Sequence, residues 1–318
     1  MRLPFVFGAP NQSFPPRTPP LYKGRFAPSP SGKLHFGSLV AAVGSYLQAK
    51  ANQGLWLVRI EDIDPPREVK GAADDILKTL EIYGLHWDQS VVYQSAQSDH
   101  YRATLDWLTE NDLAYLCQCT RKQINQNSPR LGIYARTCRD LSLEPNQDNC
   151  SIRFKNDNPI LQFEDPLQGV VSAATPTGSP SGFADDFIIH RKDGLFAYQL
   201  AVVVDDIMQG ITEVVRGSDL LSTTLHQMTL YQAFGQPLIN YLHLPVAVTE
   251  PGKKLSKQNH AKPVDLANRQ QTLVDVLVFL GMDGAEIVKH ESVEEILRWA
   301  VERWTVDELP KRLEVGLR

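Results

Sequence analysis

The 318-residue sequence is poor in cysteine and has no long apolar run. Four cysteines are too few for a disulfide framework in a chain of this length, which indicates a reducing compartment. No window of 18 apolar residues occurs, and Pro4, Gly8 and Pro10 interrupt the apolar stretch near the N-terminus. Neither a membrane helix nor a signal peptide is predicted. We therefore expect a cytoplasmic protein with no membrane partner and a disordered extension over residues 1–21.

The chain also lacks the basic excess of a protein that coats nucleic acid. Its 32 basic and 37 acidic residues give a net charge of −5. The first 60 residues, however, contain seven lysines and arginines and neither aspartate nor glutamate. This uneven distribution predicts an anionic ligand near the N-terminal third of the chain.

Short apolar runs alternate with helix-length segments from Tyr22 onward. Strands are predicted in YKGRFAP and LWLVRIED, and helices in FGSLVAAVGSYLQAKA and over about 67–84 and 97–111. This order predicts an α/β fold with a Rossmann-like parallel sheet. Its ligands are expected at the carboxyl ends of the strands.

The pattern breaks over residues 113–182, which are rich in proline, serine, threonine and glycine and contain all four cysteines, three of them between residues 117 and 138. We interpret them as an insertion in a catalytic domain spanning 22–240. Strands are then predicted in DDFIIHRKDGLFAYQLAVVVDD, ITEVVRG and NYLHLPVAV, and a helix capped by Ser218 in SDLLSTTLHQMTLYQAFG. Residues 241–318 are expected to form a small, mainly helical domain.

Two segments have the composition of a nucleotide site. The first runs from Arg25 to Ser38 and joins a strand to a helix N-terminus, where Gly32 and Gly37 allow a phosphate to approach the backbone. It has neither GxGxxG nor P-loop spacing. The second, Glu250–Gln258, places three lysines in a glycine-containing loop, as a triphosphate site would need. The alternatives are a histidine that caps a helix and a solvated basic loop.

A metal site is predicted in the insertion. Cys117, Cys119 and Cys138, together with Tyr134, supply three thiolates and a phenol, which is enough for a closed tetrahedral zinc site. Thiolate is the softer donor, so ligand chemistry alone favours Cys150 as the fourth ligand. Three buried thiols without a metal are the other alternative.

Together the two nucleotide segments resemble the paired signatures of class I aminoacyl-tRNA synthetases, with His35-Phe-Gly-Ser at the HIGH position and Lys254-Leu-Ser-Lys-Gln at the KMSKS position. Ser38 replaces a histidine, Leu255 a methionine and Gln258 a serine. The resemblance implies that His35 and Lys257 are catalytic and that Mg²⁺ accompanies ATP. The ATP-binding residues it implies are His35, Gly37, Ser38, Lys254 and Lys257.

RFAPSPSG, RIEDID and VRGSDL narrow the resemblance to the glutamyl branch of that class. The glutamate-binding residues it implies are Arg25, Phe26, Ala27, Pro28, Ser29, Glu61, Tyr198 and Arg216. The chemistry agrees, because two guanidinium groups suit two carboxylates and Glu61 suits the α-ammonium group. Glutamine would leave the Arg216 guanidinium unpaired. The alternative for Glu61 is a structural acid that neutralises Arg59 or Lys33.

Only 60 residues follow Gln258, so no anticodon-binding domain is expected. In this respect the sequence is most similar to the short glutamyl-synthetase-like enzymes, the glutamyl-Q tRNA(Asp) synthetases. That resemblance implies a structural zinc ion with Tyr134 as fourth ligand. It also implies activation of L-glutamate by ATP without tRNA, and transfer to the cyclopentenediol of queuosine at the wobble position of tRNA(Asp).

Two other functions fit the sequence. One is a truncated glutamyl-tRNA synthetase that charges the 3′ end of tRNA(Glu), and the other is a non-catalytic RNA-binding paralogue. Residues 117–155 contain seven basic and three acidic residues, a local excess that suits an RNA backbone as well as a solvated loop. No sequence feature indicates an obligate interface, so we expect a monomer.

Overall fold

The computed structural model describes residues 21–127, 133–141, 143, 149–173, 185–255 and 261–317. The helices in chain order are α1 (Phe36–Ala51), α2 (Ala72–Ile82), α3 (Ser98–Glu110), α4 (Arg121–Asn127), α5 (Tyr198–Gln209), α6 (Thr224–Ala233), α7 (Arg269–Phe279) and α8 (Val293–Arg303). The strands are β1 (Lys23–Phe26), β2 (Leu55–Ile60), β3 (Val92–Tyr93), β4 (Ala114–Cys117), β5 (Ser151–Phe154), β6 (Gln162–Asp165), β7 (Gly169–Ser172), β8 (Ile188–His190), β9 (Glu213–Gly217), β10 (Asn240–Leu244), β11 (Val246–Glu250), β12 (Lys253–Lys254) and β13 (Glu314–Gly316).

Parallel strands form the centre of the fold. Strands β1, β2 and β3 pair in parallel, and so do β9 and β10. The two groups are joined where Thr212 donates its backbone N–H to the Lys23 carbonyl at 2.9 Å and Lys23 donates to the Thr212 hydroxyl at 2.9 Å. The predicted α/β fold with a parallel sheet is confirmed, and the carboxyl ends of β1 and β9 lie together.

Helix α1 follows β1 and packs its buried apolar residues against the sheet. Leu39, Val43 and Leu47 are fully buried at helical spacing. Gly44 allows the close contact, because a Cβ at this position would lie 2.4 Å from Leu244 Cδ1 on β10. The helix is thereby fixed with its N-terminus directed at the strand ends.

The segment after α3 pairs differently from the central sheet. Strands β4, β5 and β8 form an antiparallel sheet, and β6 and β7 form a hairpin. The antiparallel pairing reaches β8 and so extends past residue 182, where the sequence predicts the insertion to end. Asp186, which is fully buried, accepts a hydrogen bond from the Tyr115 hydroxyl at 2.7 Å and fixes this sheet to the following segment.

Two sequence predictions of local structure are wrong. The apolar run in residues 185–206 is not one strand, because it contains β8 and then helix α5. The residues from Leu200 to Asp206 are all buried, and a continuous apolar run of this kind does not distinguish a buried helix from a strand. Ser218 does not cap a helix by a side-chain bond; its hydroxyl donates to the Leu313 carbonyl at 2.6 Å, and α6 begins at Thr224.

Helices α7 and α8 in the C-terminal part pack on α1, as the predicted short helices there require. Ser292 and Glu295 form a capping box at the start of α8. Strand β11 pairs with β12 in an antiparallel hairpin and with β13 in parallel. Among the described helices, none is both long and apolar enough to cross a membrane.

Candidate active site

A cavity of about 580 Å³ opens at the carboxyl ends of β1, β2 and β9. It contains every sequence-predicted ATP and glutamate residue except Lys257, which lies outside the described residues. The predicted residues that line it are Arg25, Phe26, Ala27, Pro28, Ser29, His35, Gly37, Ser38, Glu61, Tyr198, Arg216 and Lys254. Residues from two distant parts of the sequence therefore share one cavity.

His35 lies at the N-cap of α1 and is buried beside the cavity. Its Nδ1 accepts the backbone N–H of Ser38 at 3.2 Å, and its Nε2 lies 3.0 Å from the Ser38 hydroxyl. A neutral ring must then carry its proton on Nε2. Gly37 is needed for this packing, because a Cβ there would lie 3.3 Å from the imidazole. His35 therefore caps α1, as the alternative interpretation expected, and it also lines the cavity.

The second nucleotide segment forms the β11–β12 hairpin, with Gly252 at φ +76° in its turn. Lys254 at the end of the hairpin contacts Asp219, with Nζ 2.5 Å from Oδ2, and both residues line the cavity. The Leu255 carbonyl lies 3.7 Å from the position of a Cβ on Gly37, so this segment lies next to the start of α1. The predicted Lys257 follows shortly after in residues 256–260, which lie outside the described part.

Arg25 projects from β1 into a buried ion-pair cluster. Its Nε and Nη2 donate to the two carboxylate oxygens of Asp206 at 3.0 and 3.2 Å. Arg59 on β2 lies 2.8 Å from the same carboxylate and 3.6 Å from Asp205. Although burial opposes ionisation, the two arginines lower the pKa of Asp206. The Arg25 fork is therefore occupied by Asp206, and a bidentate grip on a substrate carboxylate, as expected from the sequence, would have to displace it.

Glu61, directly after β2, has a largely buried carboxylate. Its side chain is 9% exposed, the nearest Arg59 nitrogen is 3.7 Å from Oε1, and Oε1 has no hydrogen-bond partner among the described residues. Burial raises the pKa of Glu61 to about 7, against the lowering effect of Arg59 and Arg25. A carboxylate in this state gains most from a cation that enters the cavity.

Arg216 at the end of β9 is held by neutral groups. Its Nε donates to His243 Nε2 at 3.2 Å and its Nη1 to the Tyr198 hydroxyl at 3.3 Å. Nη2 donates to the Leu220 carbonyl and, at 2.7 Å, to the Thr224 hydroxyl. Within the described residues no carboxylate oxygen lies within 4.0 Å of this guanidinium, although its residue is only 5% exposed. A buried cation without an acidic partner strongly favours an anionic ligand.

Asp206, His243 and Thr224 also belong to the site, because they contact Arg25 or Arg216. The sequence alone did not indicate them. Asp206 follows the apolar run within α5, and His243 lies within an apolar strand; both are almost completely buried. A charged or polar residue in a continuous apolar run signals a buried partner. That signal was present in AVVVDD and in NYLHLPV, but it does not say which partner is near.

A second cavity of about 290 Å³ adjoins the first and shares Ser29, Ser31, Glu61 and Arg67 with it. Asp64 and Glu68 complete much of its wall. Glu61 thus contributes to the wall of both cavities.

The predicted metal ligands form a separate cluster. The sulfur atoms of Cys117, Cys119 and Cys138 all lie within 4.8 Å of one another, with 3.4 Å between those of Cys119 and Cys138. The Tyr134 hydroxyl lies 3.3 Å from the Cys117 sulfur and 4.0 Å from that of Cys119. A tetrahedral zinc ion with Zn–S bonds of about 2.3 Å requires sulfurs about 3.8 Å apart, so these four atoms fit zinc. Among the described residues, Cys150 is not part of this group.

The surroundings of Cys117 favour its thiolate form, whereas burial and the neighbouring Cys138 and Cys117 thiols raise the pKa of Cys119 to about 11. Arg153 donates from Nε to the Cys117 sulfur at 3.3 Å, and its guanidinium lies 3.7 Å from the centre of the Tyr134 ring. The Cys138 backbone N–H donates to the Tyr134 hydroxyl at 2.9 Å. Burial opposes ionisation of Cys117, but the hydrogen bonds from Tyr134 and Arg153 lower its pKa to about 7. A thiolate is the form that binds zinc.

Known proteins match almost the whole chain. The family model for the catalytic domain of class I tRNA synthetases (E and Q) matches residues 22–307. A glutamyl-Q tRNA(Asp) synthetase of Vibrio parahaemolyticus is 52% identical over 297 residues, which are 93% of this chain and 97% of that protein. The protein of the same name from Escherichia coli K12 is 52% identical over 290 residues, 91% of each.

A solved structure supports the same relationship. The glutamate tRNA ligase of Elizabethkingia meningosepticum, crystallised with its amino acid, superimposes with a TM-score of 0.74 at 25% identity. The match covers 93% of this chain and 66% of that chain. The cavity with its two signatures and these matches lead to one conclusion: the chain belongs to the class I aminoacyl-tRNA synthetases of the glutamyl branch, in the family of the glutamyl-Q tRNA(Asp) synthetases.

Proposed function

We propose that the chain activates L-glutamate with ATP, without requiring tRNA, and transfers the glutamyl group to the cyclopentenediol of queuosine at the wobble position of tRNA(Asp). The observation that carries the substrate assignment is Arg216, a buried guanidinium that lines the cavity and has no carboxylate within 4.0 Å among the described residues. The relatives that match the chain over nine-tenths of its length are named for this reaction.

The glutamate side chain is proposed to bind Arg216 and Tyr198. Four of the five N–H bonds of Arg216 are taken by described neighbours, which leaves one on Nη1 for the substrate. The Tyr198 hydroxyl accepts from the same Nη1 and can donate its own proton alongside. Two donors thus converge on one carboxylate, whereas the amide of glutamine would leave the guanidinium charge uncompensated.

The α-ammonium group is proposed to bind Glu61, whose carboxylate lines the same cavity. Arg25 is then proposed to fix Asp206 with its Nε and Nη2. Its remaining Nη1 is proposed to contact the substrate. Phe26, Ala27, Pro28 and Ser29 form the wall that follows β1. This assignment pairs the side-chain carboxylate and the ammonium group of glutamate each with an opposite charge.

In the first step the glutamate α-carboxylate attacks the α-phosphorus of ATP, and pyrophosphate leaves. We assign the stabilisation of the phosphate charge to His35, to the backbone at Gly37 and Ser38, and to Lys254 and Lys257. Mg²⁺ bound to ATP would neutralise further phosphate charge. In the second step a queuosine hydroxyl attacks the glutamyl carbonyl carbon and passes its proton to a phosphate oxygen of the adenylate. The bond between the carbonyl carbon and the phosphate oxygen breaks, and AMP leaves.

The nucleobase is proposed to enter through the second cavity, which adjoins the amino-acid site at Glu61 and Ser29. An unstacked anticodon base can reach such a space because single-stranded loops expose their bases. We assign residues 22–240 to catalysis and 241–318 to the lysine loop and the helices that would contact tRNA. A structural zinc ion at Cys117, Cys119, Tyr134 and Cys138 would order the insertion over 113–182. We further propose that the protein is monomeric and acts in the cytoplasm, where ATP and tRNA are found.

Two measurements test the proposal. Glutamate-dependent exchange of pyrophosphate into ATP without tRNA should be observed with Mg²⁺; its absence would favour a non-catalytic RNA-binding protein. Radiolabelled glutamate should then be transferred to tRNA from cells that make queuosine and not to tRNA from cells that lack it. Labelling of tRNA(Glu) at its 3′ end, independent of queuosine, would show instead a truncated glutamyl-tRNA synthetase.

A further inference from the structure

Arg216 contacts a buried imidazole on the side that faces the protein interior. His243 on β10 lies directly opposite Arg216 in the parallel β9–β10 register, and His243 Nε2 lies 3.2 Å from Arg216 Nε. His243 is fully buried and does not line the cavity. It therefore cannot touch the substrate, but it touches the group proposed to bind the substrate.

The hydrogen bonds determine where the proton of His243 lies. An arginine Nε–H can only donate, so His243 Nε2 must accept and carry no proton. The single ring proton is then on Nδ1, which lies 2.8 Å from Asp165 Oδ2. The Asp165 carboxylate also accepts the backbone N–H groups of His243, Leu167 and Gln168. These four hydrogen bonds use all the lone pairs of the carboxylate and fix its orientation, so that Asp165 stays in place as the acceptor for the His243 Nδ1–H.

The position of the ring is fixed by aromatic neighbours as well. The Tyr241 ring is nearly parallel to that of His243, with an interplanar angle of 7° and 6.0 Å between centres. The Phe163 ring lies on the same hairpin as Asp165, 6.0 Å from the imidazole centre. The Thr224 hydroxyl lies 3.0 Å from His243 Nε2 and accepts a hydrogen bond from Arg216 Nη2. Neighbours from three elements thus restrain His243.

From these contacts we propose that His243, with its proton held on Nδ1 by Asp165, is a positioning residue that aims the guanidinium of Arg216 at the substrate carboxylate. The inference rests on the proposed function, because it assigns the carboxylate to glutamate. Asp165 contacts His243 and His243 contacts Arg216, so the negative charge of Asp165 is separated from the guanidinium by the imidazole ring. The guanidinium is thereby oriented without being neutralised, and its charge stays available to the ligand.

The contrast with Arg25 supports this role. Asp206 binds the Arg25 fork directly and neutralises it, so Arg25 has little charge left for a ligand. A carboxylate in direct contact with Arg216 would do the same. A neutral imidazole orients Nε–H through a hydrogen bond and adds no charge of its own. Burial and the charge of Arg216 lower the pKa of His243, which agrees with a neutral ring.

A matched pair of variants separates the two hydrogen bonds of His243. In His243→Gln the side-chain oxygen can occupy the place of Nε2 and accept from Arg216, but the contact with Asp165 is lost. In His243→Asn the amide can occupy the place of Nδ1 and donate to Asp165, but nothing accepts from Arg216. Both variants remove the imidazole, and asparagine leaves a cavity larger by one methylene group, so the Tm of each variant is compared with its glutamate affinity.

Five quantities are measured for the wild type and for each variant. They are the KM for glutamate in pyrophosphate exchange, the dissociation constant for L-glutamate by calorimetry, the KM for ATP, the active-site concentration and Tm. We expect His243→Asn to weaken glutamate binding about tenfold to hundredfold, the range for a lost hydrogen bond to a charged group. His243→Gln should recover much of that loss. The KM for ATP and kcat at saturating glutamate should change much less.

Other results overturn the inference. Equal glutamate affinities in the two variants, or losses confined to Tm and the active-site concentration, would show that His243 only supports the fold. In another outcome the wild type binds glutamate and the two variants weaken that binding as expected, but the wild type catalyses no exchange. That result would refute the proposed function and support the positioning role. Wild-type protein that binds no glutamate would overturn both.

Discussion

Replacement of Glu61 by glutamine is expected to stabilise the fold at alkaline pH while it impairs glutamate activation. Burial raises the pKa of Glu61 to about 7 from an ordinary value of 4.5. The folded state therefore binds this proton more tightly than the unfolded state. The resulting contribution to the free energy of unfolding is complete below pH 4.5 and is lost as the pH rises through 7.

The size of the effect follows from the difference between the two pKa values. A shift of about 2.5 units corresponds to about 3 kcal/mol of lost stability at pH 8, at 1.36 kcal/mol per unit. Glutamine has no charge at any pH and avoids this loss. Arg59 remains paired with Asp205 and Asp206 in the variant, so no new unpaired cation is created.

Urea unfolding of the wild type and of Glu61→Gln at pH 5 and pH 8 measures this difference. The variant should exceed the wild type by up to about 3 kcal/mol at pH 8 and by little at pH 5. Glu81→Gln, which alters an exposed carboxylate on α2, is the control and should show no pH-dependent difference. A Glu61→Gln variant that is less stable at pH 8, or equally changed at both pH values, would refute the burial argument.

Three further variants test the separate parts of the site. Arg216→Ala should raise the glutamate KM by the equivalent of roughly 2 to 4 kcal/mol, with a smaller effect on the ATP KM; equal effects on both would contradict its assignment to glutamate. Lys257→Ala should lower the rate of adenylate formation far more than it lowers glutamate affinity. Lys253→Ala, at an exposed neighbouring lysine, is the control and should change neither quantity. A loss of glutamate affinity in Lys257→Ala as large as the loss of rate would contradict a role in catalysis. Cys117→Ser should lower the zinc content measured by atomic absorption and leave the central sheet folded, while Cys150→Ser should retain zinc; the reverse result would identify Cys150 as a ligand.

Local sequence signals predict the strand, loop and helix around His35 well. The strand, loop and helix from Lys23 to Ala51 form as expected, since α1 matches the predicted segment residue by residue. A glycine-containing turn before an amphipathic run specifies its structure through neighbouring residues alone. Parallel pairing then brings Arg25 and Arg216 to the same edge, although 190 residues separate them.

The buried polar partners could not be predicted in the same way. Arg25 was expected to hold a substrate carboxylate with its fork, but Asp206 on α5 already occupies it. The contact depends on the orientation of a helix that the apolar run in LAVVVDD does not distinguish from a strand. His243 and Asp165 likewise meet only because β10 lies against the β6–β7 hairpin. Hydrogen bonds of this kind are set by tertiary packing, which single-sequence periodicity does not contain.

The charges around the cavity explain why one substrate can compensate both the acidic cluster around Glu61 and the Arg216 guanidinium. In the cluster below β1 and β2, Arg25 and Arg59 face three carboxyl groups, those of Glu61, Asp205 and Asp206, so this cluster has one acid too many when all are ionised. Arg216 has the opposite imbalance, because its contacts within 4.0 Å among the described residues are neutral. Glutamate brings an ammonium group for the first and a carboxylate for the second. A ligand with only one of these charges would leave the other group buried and uncompensated, at a cost of several kcal/mol.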